Sequence, residues 1–371
     1  MVSSAPVYGS CSPRFEPVAS AIERIATAEP HAACAVAAYV HGRPTIDVWA
    51  GLAARQDSLF HTWSTVKPLI GTSLLLLLRR SRIPVETPVA FFWPELHAAR
   101  SSDVTLRHVL AHAIGLVSVP YTADASALTN WDATIKRLTV ATPDWEPGTG
   151  VGEHALTYGH LVGELIRRLD GRTPGAFLAE ELADPLGLDV HVGVDPSRQH
   201  RILDTVDLDT TYWERHRANG PALRRNALGS GVTATLVNSS AWRAAQVPAV
   251  NGHATARGLA AFYARLLEGA LPSEAAAFGA SGTDRVLGRY IVWTLSGGQL
   301  RGGRVAMGGV GGQLAEGDPD TGLAWAFLTN AMGDGGRAAA VENALYSCLT
   351  PGHASARRRA MTTDGAIRCP K

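Results

Sequence analysis

Lysine is nearly missing from this chain: among its 34 basic residues only Lys67, Lys136 and Lys371 are lysines, the rest being arginine, a bias typical of GC-rich coding sequences. An excess of either charge is missing too. The 34 basic and 33 acidic residues leave a formal charge of +1, with no block of like charge longer than Arg357-Arg358-Arg359, so neither nucleic acid nor an anionic membrane is expected as a partner. Long apolar runs are also lacking. The leucine-rich run Leu74 to Leu78, with Leu69 and Ile70 before it, is far short of the roughly 20 residues that span a bilayer and reads as a buried helix. Residues 1–30 carry Arg14, Glu16, Glu23 and Arg24 and show no basic start leading into an apolar stretch. No secretory leader is read there, and a cytoplasmic location is expected. Cysteine is sparse: Cys11, Cys34, Cys348 and Cys369 in so large a chain are expected to be free thiols rather than a disulfide framework.

What is present is enough apolar material, 46% of 371 residues, to bury a sizeable core in one large domain or two closely packed ones. Periodicity predicts a helix over 15–27, a hairpin of 33–40 and 45–50 about the His41-Gly42-Arg43-Pro44 turn, and an apolar helix from Ser64 to about Arg80. Further helices are expected at 106–113 before Gly115, 158–169, 174–182, 254–268 and 336–349, and strands at 290–295, 304–307 and 323–329. Residues 196–250 read as loops and lids. Strands at both ends with helices between them imply one sheet built from 1–65 and 240–371, and a mostly helical insertion over 66–239. A site is expected in the cleft between the two.

Ser64-Thr65-Val66-Lys67 fits the SxxK pattern, with serine and lysine one turn apart on one face of a helix start. Serine is a weak nucleophile at neutral pH, and an adjacent amine can take its proton once burial or nearby charge lowers the amine's pKa. Lys67 enters the most apolar helix of the chain, where a charged amine is costly unless used or paired.

Around this motif the chain resembles the β-lactamase-related serine hydrolases, a group spanning class C-like esterases, D-amino-acid amidases and acyltransferases of natural-product pathways. The resemblance is carried by residues 60–69 (FHTWSTVKPL), 104–112 (VTLRHVLAH), 145–149 (WEPGT), 154–159 (HALTYG), 185–187 (PLG), 248–253 and Gly309-Val310-Gly311-Gly312, with Asp318-Pro319 and Thr329-Asn330 further on. It implies an α/β fold of the β-lactamase and penicillin-binding-protein type, a central antiparallel sheet flanked by helices with an inserted helical domain. It also implies attack by Ser64 on an ester or amide, an oxyanion hole from the backbone N–H groups of Ser64 and Val310, and no cofactor.

Two positions depart from the family pattern. The catalytic tyrosine that usually follows the PGT turn is replaced by Glu153, with Tyr158 five residues on. A carboxylate, ordinarily ionised at neutral pH, can accept a proton or pair with Lys67. The alternative, Tyr158 in the usual role, stays open. The Lys/His-x-Gly strand motif reads Met307-Gly308-Gly309, which disfavours β-lactam carboxylate recognition. Trp63, Met307, Gly308, Gly309 and Trp242 are expected to bind substrate, with Tyr212 and Trp213 as further aromatic candidates. His108 and His112 have i, i+4 spacing but lack the glutamate and third ligand of a zinc site, and Gly308 to Gly312 lacks the ending of a phosphate loop. The expected activity is acyl transfer from a small-molecule donor, by ester hydrolysis or to an amine acceptor as in antibiotic tailoring. A binding protein that kept the fold and lost the chemistry is the alternative.

Overall fold

The structure, a computed structural model, describes residues 4–100, 103–119, 125–208, 211–228 and 232–349. Nine antiparallel strands form the main sheet, in the spatial order Val7–Cys11, Arg43–Gly51, Ala33–Val40, Leu323–Thr329, Leu314–Asp318, Arg304–Gly308, Gln299–Arg301, Tyr290–Thr294, Phe278–Thr283. The two ends of the chain meet where Leu323–Thr329 pairs with Ala33–Val40 in the register Ala326 to Ala37. Both strands are rich in alanine and buried on both faces, so helices can pack close on either side. Helices Glu16–Ala28 and Gly336–Leu349 cover one face through Val18, Ile22, Val341 and Leu345. Ala256–Leu267 and the apolar Lys67–Arg80 lie in the core of the other. The expected antiparallel sheet flanked by helices is therefore present, and the stretch between Lys67 and Ala244 is mostly helical, with the short strands Val190–Val192 and Val206–Asp207 within it.

Several elements differ from expectation. The helix predicted to reach Ala113 stops at Leu110, because His112 adopts a left-handed φ of 58°. His108 and His112 therefore do not share a helical face. Helix 174–182 ends at Leu178 and continues as a π-turn, Ala179–Ala183. The loops-and-lids region holds short helices, among them Tyr212–Ala218 and Ala222–Leu228. The strands Val7–Cys11, Phe278–Thr283 and Leu314–Asp318 were not anticipated. The last carries Glu316 and Asp318 in a fully buried position, where Arg304, Tyr346 and the Trp325 indole donate to their carboxylates. Cys11, Cys34 and Cys348 are free thiols, and Cys369 lies outside the described residues, as does the Arg357-Arg358-Arg359 triplet. Among the described residues no helix is long and apolar enough to cross a membrane.

Candidate active site

Ser64 sits in a single 3-10 turn, Trp63–Val66, that feeds directly into the helix starting at Lys67. In a 3-10 turn residues i and i+3 eclipse, and the Lys67 amine accordingly lies 2.6 Å from the Ser64 hydroxyl. The turn is entered through Trp63 at φ 51°, a left-handed conformation costly for a bulky residue. It is held from both sides: Thr65 N–H and hydroxyl both donate to the Thr62 carbonyl, and Thr62 N–H donates to Gly252.

Lys67 is fully buried, and Glu153 Oε1 lies 3.4 Å from its amine. Burial drives the amine below its ordinary pKa, with the Glu153 carboxylate opposing that shift. Such an amine is poised to exchange a proton with the serine.

The segment carrying Glu153 is fixed by its own backbone. Gly152 N–H donates to the His112 carbonyl and His154 N–H to His112 Nδ1, both at 3.1 Å. Glu153 N–H donates to Asp284 Oδ1 at 3.2 Å. The left-handed turn at His112 is what lets one residue present both acceptors. Its ring stacks on Tyr158 with centroids 4.5 Å apart and lies against Trp293. Asp284 is fully buried and also accepts the N–H groups of Val286 and Leu287 and the Trp293 indole. Burial raises its carboxyl above the usual range against those donors.

Tyr158 does not join Ser64. Its hydroxyl donates to the Ser296 carbonyl at 2.9 Å, in full burial that pushes its pKa up. Position 153, not 158, brings its side chain to the serine and lysine. Trp242 is a second correction: it is wholly buried, its indole donating to His61, and it does not line the cavity.

That cavity, about 580 Å³, is lined by Trp63, Ser64, Glu153, Met307, Gly308, Gly309 and Val310, and also by Tyr212, Trp213 and His216. Trp213 packs against Trp63 at 5.2 Å, and Tyr212 OH accepts the Gly311 N–H. The loop after Met307 approaches the turn that carries Ser64 closely. A Cβ on Gly309 would stand 2.9 Å from the Thr62 carbonyl and 3.1 Å from Trp63 Cβ. Within this loop the N–H groups of Gly309, Gly311 and Gly312 are taken by Gln313, Tyr212 and Gly309. Those of Ser64 and Val310 have no partner among the described residues. Two free N–H groups in the lining of the cavity that holds the Ser64 hydroxyl can receive a developing oxyanion.

Sequence reasoning missed His112 and Asp284 as anchors and His216 as a wall. The contacts of Asp284 and His216 with this site join distant parts of the chain, and no local pattern marks them.

The profile of the family described as Beta-lactamase matches residues 19–346. Over 282 residues the chain is 32% identical to the protein named Esterase/beta-lactamase LipL of Mycobacterium tuberculosis (strain ATCC 25618 / H37Rv), covering 71% of this chain and 65% of LipL. The chain thus spans somewhat less than two thirds of that relative's length. Among solved structures it is similar to a family VIII carboxylesterase (TM-score 0.82, 27% identity, 92% of this chain and 100% of that one). It is also similar to a penicillin-binding protein homolog from Caulobacter crescentus (TM-score 0.80, 28% identity, 92% and 100%).

Proposed function

Since the chain belongs to the β-lactamase family, matched over residues 19–346, we propose that it is a serine acyl-transfer enzyme whose leading activity is hydrolysis of small-molecule esters. The observation that carries this reading is the buried Lys67 amine 2.6 Å from Ser64 Oγ with Glu153 at 3.4 Å. Ser64 Oγ attacks the carbonyl carbon as Lys67, coupled to Glu153, takes the hydroxyl proton. The carbonyl oxygen turns to the N–H groups of Ser64 and Val310. Collapse expels the alcohol, protonated from the Lys67–Glu153 pair, and leaves acyl-Ser64. Water then attacks by the reverse proton path and releases the acid. The esterase names of LipL and of the carboxylesterase support the ester as substrate class.

Transfer of the acyl group to an amine, as in antibiotic tailoring, is a second reading. It is favoured by Glu153 and Met307, which alter the two positions that help relatives handle the leaving group and activate water. An acceptor held in the same cavity gains an effective molarity that competes with water.

A fluorophosphonate probe followed by intact-mass analysis tests the whole reading: one adduct, mapped to Ser64 and absent from Ser64→Ala, is expected. An unlabelled wild-type protein would leave only a binding role. Acid against amide products from a methyl ester, with and without amines, separates hydrolysis from transfer.

A further inference from the structure

Many arginines of this protein spend their charge on carboxylates, among them Arg168, Arg172, Arg201, Arg243, Arg304 and Arg337, each paired with Asp or Glu. Two arginines on the wall of the Ser64 cavity do not. Arg224, half-buried on the helix Ala222–Leu228, donates to the His216 carbonyl at 2.9 Å and lies 3.1 Å from His216 Nε2. Arg289 is exposed at the turn before Tyr290–Thr294; its carbonyl accepts the Asp284 N–H, and its guanidinium has no hydrogen-bond or ion-pair partner among the described residues.

Two of the three acids of the same wall face a cation, and the third is held by a backbone N–H. Glu153 faces Lys67, Glu342 accepts from Arg304, and Asp334 accepts the Gly336 N–H. The third arginine of the wall, Arg301, lies 3.9 Å from Glu316. His216 lies in the fields of both Arg224 and Glu153. Burial, with Arg224, lowers its pKa to about 4, so its imidazole is neutral at pH 7. Two guanidinium groups without a carboxylate partner thus stand on segments that touch each other: Gly288 packs so close to Pro221 that an added Cβ would lie 3.0 Å from its Cδ.

The geometry points to an anion subsite at Arg224 and Arg289, so that the substrate is a small ester or amide carrying a carboxylate. Guanidinium forks match a planar carboxylate, and the neighbouring Trp213, Leu287 and Val232 limit competition from water. Met307, which offers no charge, leaves this wall as the carboxylate-binding side. The inference rests on the acyl-enzyme reading of Ser64 for the word substrate, while the subsite itself is a binding claim.

Calorimetric titration of Ser64→Ala protein with monomethyl glutarate and with dimethyl glutarate reads it without turnover. The half-ester is expected to bind at least about tenfold tighter at low salt, an advantage that shrinks as salt rises. Adding Arg224→Ala and Arg289→Ala should abolish the advantage, and Arg224→Lys with Arg289→Lys should keep part of it. Equal affinity for the two esters, no binding of either, or an advantage that survives the alanine changes would overturn the subsite. Failure of the fluorophosphonate to label wild-type Ser64 would overturn the enzyme reading alone.

Discussion

Exchanging Glu153 for glutamine and Tyr158 for phenylalanine separates the two residues that could serve beside Ser64 and Lys67. At 3.4 Å and an effective dielectric constant of about 20, two unit charges attract by about 5 kcal/mol. Glu153→Gln removes that attraction while keeping an amide oxygen for the Lys67 amine. Burial then acts on Lys67 without its opposing carboxylate, so its pKa falls further. The acid limb of the kcat/KM profile should move to lower pH. The rate at the plateau should drop by about 10²–10⁴, the usual worth of a positioned proton-transfer group. Tyr158→Phe instead deletes a neutral hydrogen bond and leaves the buried Ser296 carbonyl unpaired, a loss of about 1–3 kcal/mol in stability. Its kcat/KM should stay within about tenfold of wild type. Ester turnover against pH, with urea unfolding of each variant, gives both readouts. A folded but inactive Tyr158→Phe protein beside a fully active Glu153→Gln protein would refute the assignment.

Acid should destabilise the fold early. His61, His112, His154, His160 and His253 are fully buried with pKa values pushed down by desolvation, to about 3 for His61 and His154 and about 4 for His160. The unfolded chain binds their protons from about pH 6.5 downward while the folded chain does not, so stability is complete above that pH and falls below it, by about 1.4 kcal/mol per histidine at pH 5.5. Five together approach the whole stability of an ordinary domain, and a Tm unchanged between pH 7 and pH 5 would contradict this. Gly309→Ala should fold yet lose most of its kcat, because the new methyl meets the Thr62 carbonyl at 2.9 Å and pushes Val310 N–H away from Ser64. Unaltered turnover by this variant would remove that N–H from the mechanism.

The Ser64–Lys67 pair was legible because it is local: four consecutive residues in one turn set the distance between hydroxyl and amine. The sheet was legible where strands are apolar and long, as in Leu323–Thr329. It was not legible in Leu314–Asp318, where two acids are tolerated only because Arg304 and Tyr346 arrive from other elements to satisfy them. Trp242 shows the same limit from the other side. An aromatic residue in a loop-rich stretch reads as a pocket wall, whereas here Asn251 donates to its carbonyl and its indole to His61, far inside.

The third residue of the site follows a different logic, which explains how a carboxylate can stand where the family resemblance leads one to expect tyrosine. The path of residues 152–154 is set by three backbone N–H groups, received by the His112 carbonyl, Asp284 Oδ1 and His112 Nδ1. None of these bonds uses the side chain at 153. That side chain is therefore held near Lys67 by its backbone and is free to change in kind without moving the segment. Whatever it carries must suit a fully buried amine. A tyrosine would offer a neutral hydroxyl at pH 7, whereas glutamate supplies a charge that counters the burial of Lys67 and raises its pKa relative to an isolated buried amine. A glutamate at 153 thus tunes the proton affinity of the Lys67 amine through one side chain, leaving the turn that presents Ser64 untouched.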